Sequence, residues 1–119
     1  MHPNATIGDN CTVGYNTVIM AGSVLTTEVS IGNHCLIMPN VVLRYEASVE
    51  NYCVIGASST ICGGVTIEKL SHIGTNTTVL QGLTLREKTN VGSGSVVHHS
   101  SELGATLMGN PAAALAKAY

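Results

Sequence analysis

The chain has 119 residues, enough for one domain. Only 10% of its residues are charged, and the net charge of -2 excludes no class of partner by itself, but the sequence has no basic stripe of the kind that binds nucleic acid. No apolar run approaches the roughly 18 residues of a membrane span and no signal peptide is recognisable, so we expect a cytoplasmic protein without nucleic-acid or membrane partners.

An aliphatic residue recurs every six positions without a single slip. The sixteen members of this series are all Ile, Leu or Val: Ile7, Val13, Ile19, Leu25, Ile31, Ile37, Leu43, Val49, Ile55, Ile61, Ile67, Ile73, Val79, Leu85, Val91 and Val97. A period of six matches neither a helix nor simple strand alternation, so the repeating unit is larger than one strand. The pattern predicts an all-β fold, a parallel β-helix in which three hexads close one triangular coil. Residues eighteen apart then stack about 4.8 Å apart.

The predicted coils follow one another from the N-terminus and number about five in all. They span residues 7–24, 25–42, 43–60, 61–78 and 79–96. His2 and Pro3 begin the first coil, where a proline removes a ladder donor and so discourages another chain from pairing with that end. A sixth coil begins at Val97 and is expected to break up after His98 and His99.

The C-terminal segment departs from the hexads. Asn110 can cap a helix, Pro111 suits the first helical position, and residues 112–118 are rich in Ala. We therefore expect residues 1–108 to form the β-helix. Residues 109–119 are expected to form a short helix of the same domain that covers its open edge.

The four cysteines fit this arrangement as small packing residues. Cys11, Cys35 and Cys53 lie two positions before a series member, where side chains point inward, and Cys62 directly follows one. Because the sequence has no Cys-x-x-Cys pair, the pattern indicates core packing rather than disulfides or metal ligands.

Some apolar side chains are expected on the outside of the coil. Met20 and Met38 lie eighteen residues apart on one outer wall, and Leu80 lies on another. Exposed apolar area of this kind usually marks an interface, so cyclic association of several copies is expected.

Four short segments narrow the interpretation further. They are His-Pro-Asn-Ala-Thr-Ile-Gly at 2–8, Ile-Cys-Gly-Gly-Val at 61–65, and Gly-Ser-Gly-Ser-Val-Val at 92–97 with Gly-Asn-Pro-Ala at 109–112. Together with the hexads, they resemble the hexapeptide-repeat acyltransferases. The closest branch is the C-terminal domain of sialic-acid O-acetyltransferases and bacillosamine-type sugar N-acetyltransferases. The resemblance covers essentially the whole chain, with Met1 at the boundary where those enzymes carry an N-terminal sugar-binding domain.

This resemblance implies a left-handed parallel β-helix that forms a homotrimer. It implies an N- or O-acyltransferase that takes its acyl group from acetyl-CoA, with no metal, and passes it to a sugar or other small amine or alcohol. The acceptor suggested by the family is a nucleotide-linked amino sugar.

The resemblance also places site residues. In the family, acetyl-CoA lies in a groove between two subunits, and a histidine followed by an acidic residue removes the proton of the acceptor. Carried over by position, the acid is Glu46. The residues implied for the groove are Gly63, Gly64, Thr75, Ser93, Gly109, Asn110 and Pro111.

The family's histidine position is occupied by Tyr45, and the position nine later, often a second histidine, is Val54. A phenol has a reference pKa of about 10, so roughly one in a thousand is ionised at pH 7. Tuning a phenol to act as a base near neutrality takes about three pKa units, on the order of 4 kcal/mol. A tyrosine is therefore a poor general base, although it can hydrogen-bond an acceptor or fill the sugar site.

His72 is the candidate replacement base, with an exposed surface histidine as the alternative. It lies eighteen residues after Val54 and should point outward from the coil. His98 and His99 could touch the nucleotide end of CoA or form a surface turn, and His34 is expected at a corner.

Two functions from different classes stay open at this point. One is an acyl-CoA-dependent acyltransferase; the other is a trimeric binding or scaffold module without turnover. A γ-type carbonic anhydrase is disfavoured because the sequence has no His-x4-His pair for zinc. An ice-binding prism is disfavoured because the outward threonines are scattered.

Overall fold

The six-residue period becomes one short strand followed by one corner. The computed structural model describes residues 4–115, so the predictions made for His2 and Pro3 lie outside the described residues. These residues form a parallel β-solenoid of about six turns, with extents of 43 × 23 × 21 Å. Within residues 4–115, no helix is long and apolar enough to cross a membrane.

The strands are numbered in chain order. They are β1 (Thr6–Ile7), β2 (Thr12–Val13), β3 (Val18–Ile19), β4 (Val24–Leu25), β5 (Ser30–Ile31), β6 (Leu36–Ile37), β7 (Val42–Leu43), β8 (Ser48–Val49), β9 (Val54–Ile55), β10 (Thr60–Ile61), β11 (Thr66–Ile67), β12 (His72–Ile73), β13 (Thr78–Val79), β14 (Thr84–Leu85), β15 (Asn90–Val91), β16 (Val96–Val97), β17 (Thr106–Gly109) and β18 (Ala112–Ala114).

Three sheets form the walls of the prism. The first wall contains β1, β4, β7, β10, β13 and β16; the second contains β2, β5, β8, β11 and β14; the third contains β3, β6, β9, β12, β15, β17 and β18. From β1 to β16, neighbouring strands in a wall run parallel with partners eighteen residues apart, as in the pairing of Thr60 with Thr78. The predicted triangular coil is confirmed.

The aliphatic series forms the core. Its members from Ile19 to Val97 are all buried, whereas Val13 in the first turn is 41% exposed because no turn covers it from below. Buried hydroxyls share this core and are all hydrogen-bonded: Ser59 Oγ donates to the Gly74 carbonyl at 2.9 Å and accepts from the Thr77 amide at 3.2 Å. Polar side chains are tolerated inside because each joins one turn to the next.

In each of the first five turns, each corner of the prism contains one residue in the left-handed backbone region. We name the corners after one resident each: the Tyr45 corner between the first and second walls, the Tyr52 corner between the second and third, and the Ser93 corner between the third and first. Glycine or asparagine occupies many left-handed positions, but His34 and Leu70 occupy two of them on the Tyr52 corner, with φ of 58° and 62°. The predicted corner position of His34 is confirmed, and its ring stacks on that of Tyr52 at 4.9 Å.

Replacing Leu70 with Asn is expected to stabilise the fold. A non-glycine residue at positive φ costs roughly 1–2 kcal/mol, and asparagine tolerates this conformation better than leucine. Leu70 is 46% exposed, so the substitution removes little buried area. We expect the free energy of unfolding in urea to rise by about 1 kcal/mol. Asn76, with φ of 54°, provides the reverse control: Asn76→Leu should destabilise by a similar amount, and equal midpoints for both variants would contradict the strain argument.

The sixth turn is shorter than the others, as its predicted break after His98 and His99 suggests. In the part of the chain that the structure describes, the second wall has five strands and no sixth. In its place, Ser100 Oγ accepts from the Thr84 amide and Ser101 Oγ accepts from the Arg86 amide, each at 2.9 Å. Serine hydroxyls thus replace the strand carbonyls that bind these amides in lower turns. The chain rejoins the third wall at β17, where Thr106 pairs with Asn90 sixteen residues earlier.

The predicted C-terminal helix is wrong for the residues that the structure describes. Ala112–Ala114 form strand β18, which pairs antiparallel with β17 after a turn that contains the cis Asn110–Pro111 peptide. Strand β17 offers an unpaired edge, and pairing with it satisfies backbone groups over several residues. A helix of this length would be marginal, because its first turn fixes several residues for one hydrogen bond. Residues 116–119 of the predicted helix lie outside the described residues.

Candidate active site

A cavity of about 330 Å³ lies where the first wall meets the Tyr45 corner. It is lined by Arg44, Tyr45, Cys62, Gly63, Leu80 and Gln81. These residues come from two columns with a spacing of eighteen, one on the wall and one on the corner. The small residues lie in the fourth turn, between longer side chains in the third and fifth turns. The cavity therefore exists because Cys62 and Gly63 are shorter than the side chains of the turns below and above them.

The ring of Tyr45 covers Gly63. A Cβ atom placed on Gly63 would lie 2.5 Å from the Tyr45 Cζ atom and 2.6 Å from its Cε2 atom, so the aromatic ring rests directly on the glycine backbone. Tyr45 remains 42% exposed. Its phenol ring therefore forms part of the cavity surface, where the family resemblance places a histidine.

The backbone fixes the turn that presents Tyr45. The Gly64 amide donates to the Tyr45 carbonyl at 3.0 Å, and the Glu46 amide donates to the Thr27 carbonyl at 3.0 Å. Glu46 occupies the left-handed position of this corner, with φ of 61°, and its side chain is not among those that line the cavity. The structure thus brings together Tyr45, Glu46, Gly63 and Gly64 at one corner.

The other residues predicted for the groove lie elsewhere. Thr75 and Ser93 stack on the Ser93 corner, where the Thr75 amide donates to Ser93 Oγ at 3.2 Å. Gly109 lies above the same corner, since its amide donates to Ser95 Oγ at 3.1 Å. Asn110 follows in the turn before β18, and its Oδ1 atom lies 3.3 Å from the His98 Nε2 atom.

One subunit does not join these two groups. The Tyr45 corner and the Ser93 corner lie at opposite edges of the first wall, roughly 15–20 Å apart if six residues at about 3.3 Å each separate them. A single small ligand cannot touch the Tyr45 corner and all the predicted groove residues of one chain. A shared site needs the Tyr45 corner of one subunit next to the Ser93 corner of another.

The structure places His72 on the outer face of the third wall. It is exposed and pairs with Val54, as its spacing predicts. In a triangular cross-section the third wall lies opposite the Tyr45 corner, so His72 does not reach the cavity of its own chain. It could reach only the cavity of a neighbouring subunit.

Sequence reasoning missed four residues that line the cavity. They are Arg44, Cys62, Leu80 and Gln81. The spacing of eighteen residues could have indicated that they are neighbours, because Gln81 lies eighteen residues after Gly63 and Cys62 lies eighteen after Arg44. What the register does not give is which of these side chains leave room between them.

The cysteines are all free thiols, and two of the three predicted inward ones are fully buried. Cys35 and Cys53 stack inside the prism, and each Sγ contacts a backbone carbonyl of the next turn, at 3.1 and 3.2 Å. Contact with the Cys35 thiol, together with burial, raises the pKa of Cys53, so this thiol stays protonated at neutral pH. Within residues 4–115, no three His, Cys, Asp or Glu side chains are grouped so that they could hold a metal ion.

Solved structures share this architecture over nearly the whole chain. PerB, a GDP-perosamine N-acetyltransferase from Caulobacter crescentus in complex with CoA and GDP-perosamine, superimposes with a TM-score of 0.96 at 26% identity, covering 98% of this chain and 56% of that chain. WeeI from Acinetobacter baumannii AYE gives a TM-score of 0.92 at 25% identity, covering 95% and 56%. The acetyltransferase domain of PglB from Neisseria gonorrhoeae FA1090, in complex with acetyl coenzyme A, gives 0.94 at 24% identity, covering 96% and 56%, a likeness that shows the fold alone.

These likenesses confirm the predicted left-handed parallel β-helix and the resemblance to hexapeptide-repeat acyltransferases. The chain spans 56% of the length of each of these three relatives. No curated protein matches the sequence significantly. The family of the GMPPB C-terminal domain matches residues 1–102, which include strands β1 to β16 of the prism. The chain therefore belongs to the GMPPB C-terminal domain family.

Proposed function

We propose that this protein is an acyl-CoA-dependent N- or O-acyltransferase that acts on a sugar or other small amine or alcohol. The observation that carries the proposal is the likeness to PerB, at a TM-score of 0.96 over 98% of this chain, in a structure that holds both CoA and GDP-perosamine. That acceptor is a nucleotide-linked amino sugar, so a molecule of this class is the acceptor that we propose here.

The proposed donor is acetyl-CoA, bound in a groove between subunits. The Ser93 corner contributes Thr75, Ser93 and the turn around Asn110, while the neighbouring subunit contributes Tyr45 and Gly63 from its Tyr45 corner. This division follows from the positions of the two corners on opposite edges of the first wall, and it explains why neither group forms a complete site by itself.

The proposed assembly is a homotrimer in the cytoplasm. Its support is the apolar outer surface of the lower turns on the third wall, where Val18 is 43% exposed and Leu36, Met20 and Met38 are partly exposed. Contiguous apolar area of this kind favours burial against another copy. In a cyclic trimer, a third wall that faces a neighbour would also bring His72 toward the neighbour's Tyr45 corner, as the replacement-base hypothesis requires.

A second function is favoured by one specific observation. Tyr45 stands at the family's histidine position and its ring lies on Gly63, so the site carries a phenol where a neutral imidazole would accept the proton. A trimer that binds CoA, or that only supports other proteins, is compatible with this feature. Binding of CoA in such a groove does not require a base.

Thermal stabilisation by acetyl-CoA tests the CoA-binding groove that the proposal requires. A ligand at one hundred times its Kd stabilises the folded protein by about 2.7 kcal/mol, and each kcal/mol raises the Tm of a domain of this size by about 3–6 °C. We expect acetyl-CoA and free CoA to raise Tm by roughly 10 °C or more at saturation, and ATP to give no comparable shift. If acetyl-CoA does not change Tm, the CoA-binding groove is contradicted and the scaffold function is favoured.

A further inference from the structure

The cavity at the Tyr45 corner contains one ionisable side chain that is charged at every physiological pH, that of Arg44. Within residues 4–115, the ion pairs are Lys69 with Glu87 and Arg86 with Glu68, both on the Tyr52 corner. The Arg44 guanidinium has no carboxylate partner among the described residues. Its five donors are therefore available to a ligand in the cavity.

Two further polar groups border the same space. The phenol of Tyr45 and the amide of Gln81 line the cavity, and neither takes part in a side-chain hydrogen bond within the described part of the chain. Cys62 and Leu80 supply an apolar surface between them. An apolar floor with a few convergent polar groups is the usual composition of a small-molecule site.

The two ends of the cavity differ in chemistry. Arg44 and Tyr45 belong to the third turn, whereas Leu80 and Gln81 belong to the fifth, about 9.6 Å higher at two strand spacings. A cation thus borders the lower end, and no carboxylate lines the cavity at any level. A ligand that fits has its negative charge at the lower end and its neutral part above.

We propose that this cavity selects an acceptor that carries an anionic oxygen group, a carboxylate or a phosphate, and that Arg44 is the specificity-determining residue that binds this group. The inference that the ligand is an acceptor rests on the proposed function, whereas binding of an anionic group depends only on the cavity. A planar guanidinium binds either group through two parallel hydrogen bonds, and Tyr45 and Gln81 add neutral contacts to the rest of the molecule.

The phosphates of CoA are a second source of the same chemistry. The two ligands, the acceptor and CoA, are distinguished by measuring how the loss of Arg44 changes the affinity for each of them. If Arg44 serves the acceptor, its removal weakens binding of anionic acceptors and leaves the affinity for acetyl-CoA unchanged. If it serves CoA, the affinity for acetyl-CoA falls instead, and the proposal is overturned.

The test uses three probes that share one ring: glucosamine, glucosamine 6-phosphate and glucosaminuronate. Binding of each is measured by calorimetry on the intact chain, without CoA and at low salt, for the parent protein and for Arg44→Gln, Arg44→Lys and Arg86→Gln. Arg86→Gln is the matched control, because it removes an arginine 3.4 Å from Glu68 on another corner.

We expect at least one anionic probe to bind the parent about tenfold or more tightly than glucosamine, since hydrogen bonds to charged groups are the stronger class. Arg44→Gln should reduce this preference to about threefold or less, Arg44→Lys should keep part of it, and Arg86→Gln should keep all of it. The preference should also weaken as salt is raised, because Arg44 is exposed.

Equal affinities of the parent protein for glucosamine and for the two probes that add an anionic group would overturn the inference, as would equal losses in Arg44→Gln and Arg86→Gln. Failure of the proposed function has a different signature. In that case acetyl-CoA neither stabilises nor binds the protein, while the preference for anionic sugars and its dependence on Arg44 persist and support the inference.

Discussion

Tyr45→His is expected to raise the acyltransfer rate by about 100-fold or more at pH 7.5, because a positioned general base typically contributes 10²–10⁴-fold. Imidazole has a reference pKa of about 6.5 and is mostly neutral at this pH, whereas a phenol with a reference pKa of about 10 rarely offers its basic form. The smaller ring also uncovers part of Gly63, which the phenol now covers. The measurement is the release of free CoA from acetyl-CoA with an amino-sugar acceptor.

Two further variants test whether Tyr45 or His72 takes part in the chemistry of the parent protein. Tyr45→Phe keeps the ring on Gly63 and removes only the hydroxyl, so a large loss of activity in this variant would assign chemistry to the phenol. His72→Ala tests the replacement base. If the parent is active and His72→Ala abolishes the activity with Tyr45→Phe unchanged, the base comes from the third wall of a neighbouring subunit.

An active parent whose rate falls in Tyr45→His would contradict the expectation. A parent without activity and an active Tyr45→His variant would support the binding or scaffold function for the natural protein. It would also confirm that the prism and its groove are otherwise competent. Acetyl-CoA stabilisation, measured on the same variants, separates loss of chemistry from loss of the groove.

Gly74→Ala is expected to destabilise the prism severely, although it adds only one methyl group. A Cβ atom on Gly74 would lie 2.6 Å from the Ser93 amide nitrogen and 2.7 Å from the Val91 carbonyl oxygen, both in the backbone of the next turn. The Val91 carbonyl belongs to the ladder that holds the turns together, because it accepts from the Gly74 amide at 2.8 Å. Neither backbone atom can move aside as a side chain can. Overpacking of this kind costs about 3 kcal/mol, at the upper end of the usual range.

The matched control is Gly94→Ala. Gly94 has φ of 74° but no atom within 4 Å of an added Cβ, so this variant carries the cost of the left-handed backbone without a clash. That cost is roughly 1–2 kcal/mol. We therefore expect Gly74→Ala to lower Tm by about 9 °C or more, and Gly94→Ala to lower it by about one third to two thirds as much, at equal protein concentration. Equal shifts would show that the turns separate more easily than the distances suggest.

Much of the fold was determined by the sequence alone. The covalent spacing of eighteen residues sets which side chains stack, and the unbroken aliphatic series sets which of them point inward. The pairing of His72 with Val54, the corner position of His34 and the buried positions of Cys35 and Cys53 all follow from counting residues. Register is predictable here because one coil repeats the geometry of the last.

The tertiary structure decided the features that depend on side-chain volume and on the cross-section of the prism, which residue spacing does not give. The cavity exists because Cys62 and Gly63 are shorter than the side chains above and below them, and Tyr45 lies flat because Gly63 has no Cβ. His72 was separated from the Tyr45 corner by the triangular cross-section, which a list of spacings does not display.

The C-terminal strand was decided in the same way. Local propensity favoured a helix in the alanine-rich segment, yet the open edge of β17 offered backbone partners to Ala112–Ala114. Propensity differences of a few tenths of a kcal/mol per residue are weak beside a row of unpaired edge groups. A periodic sequence fixes its own register through covalent distance, whereas the shape of a site and the path of a terminus are settled by side-chain volumes and free backbone groups that meet only after folding.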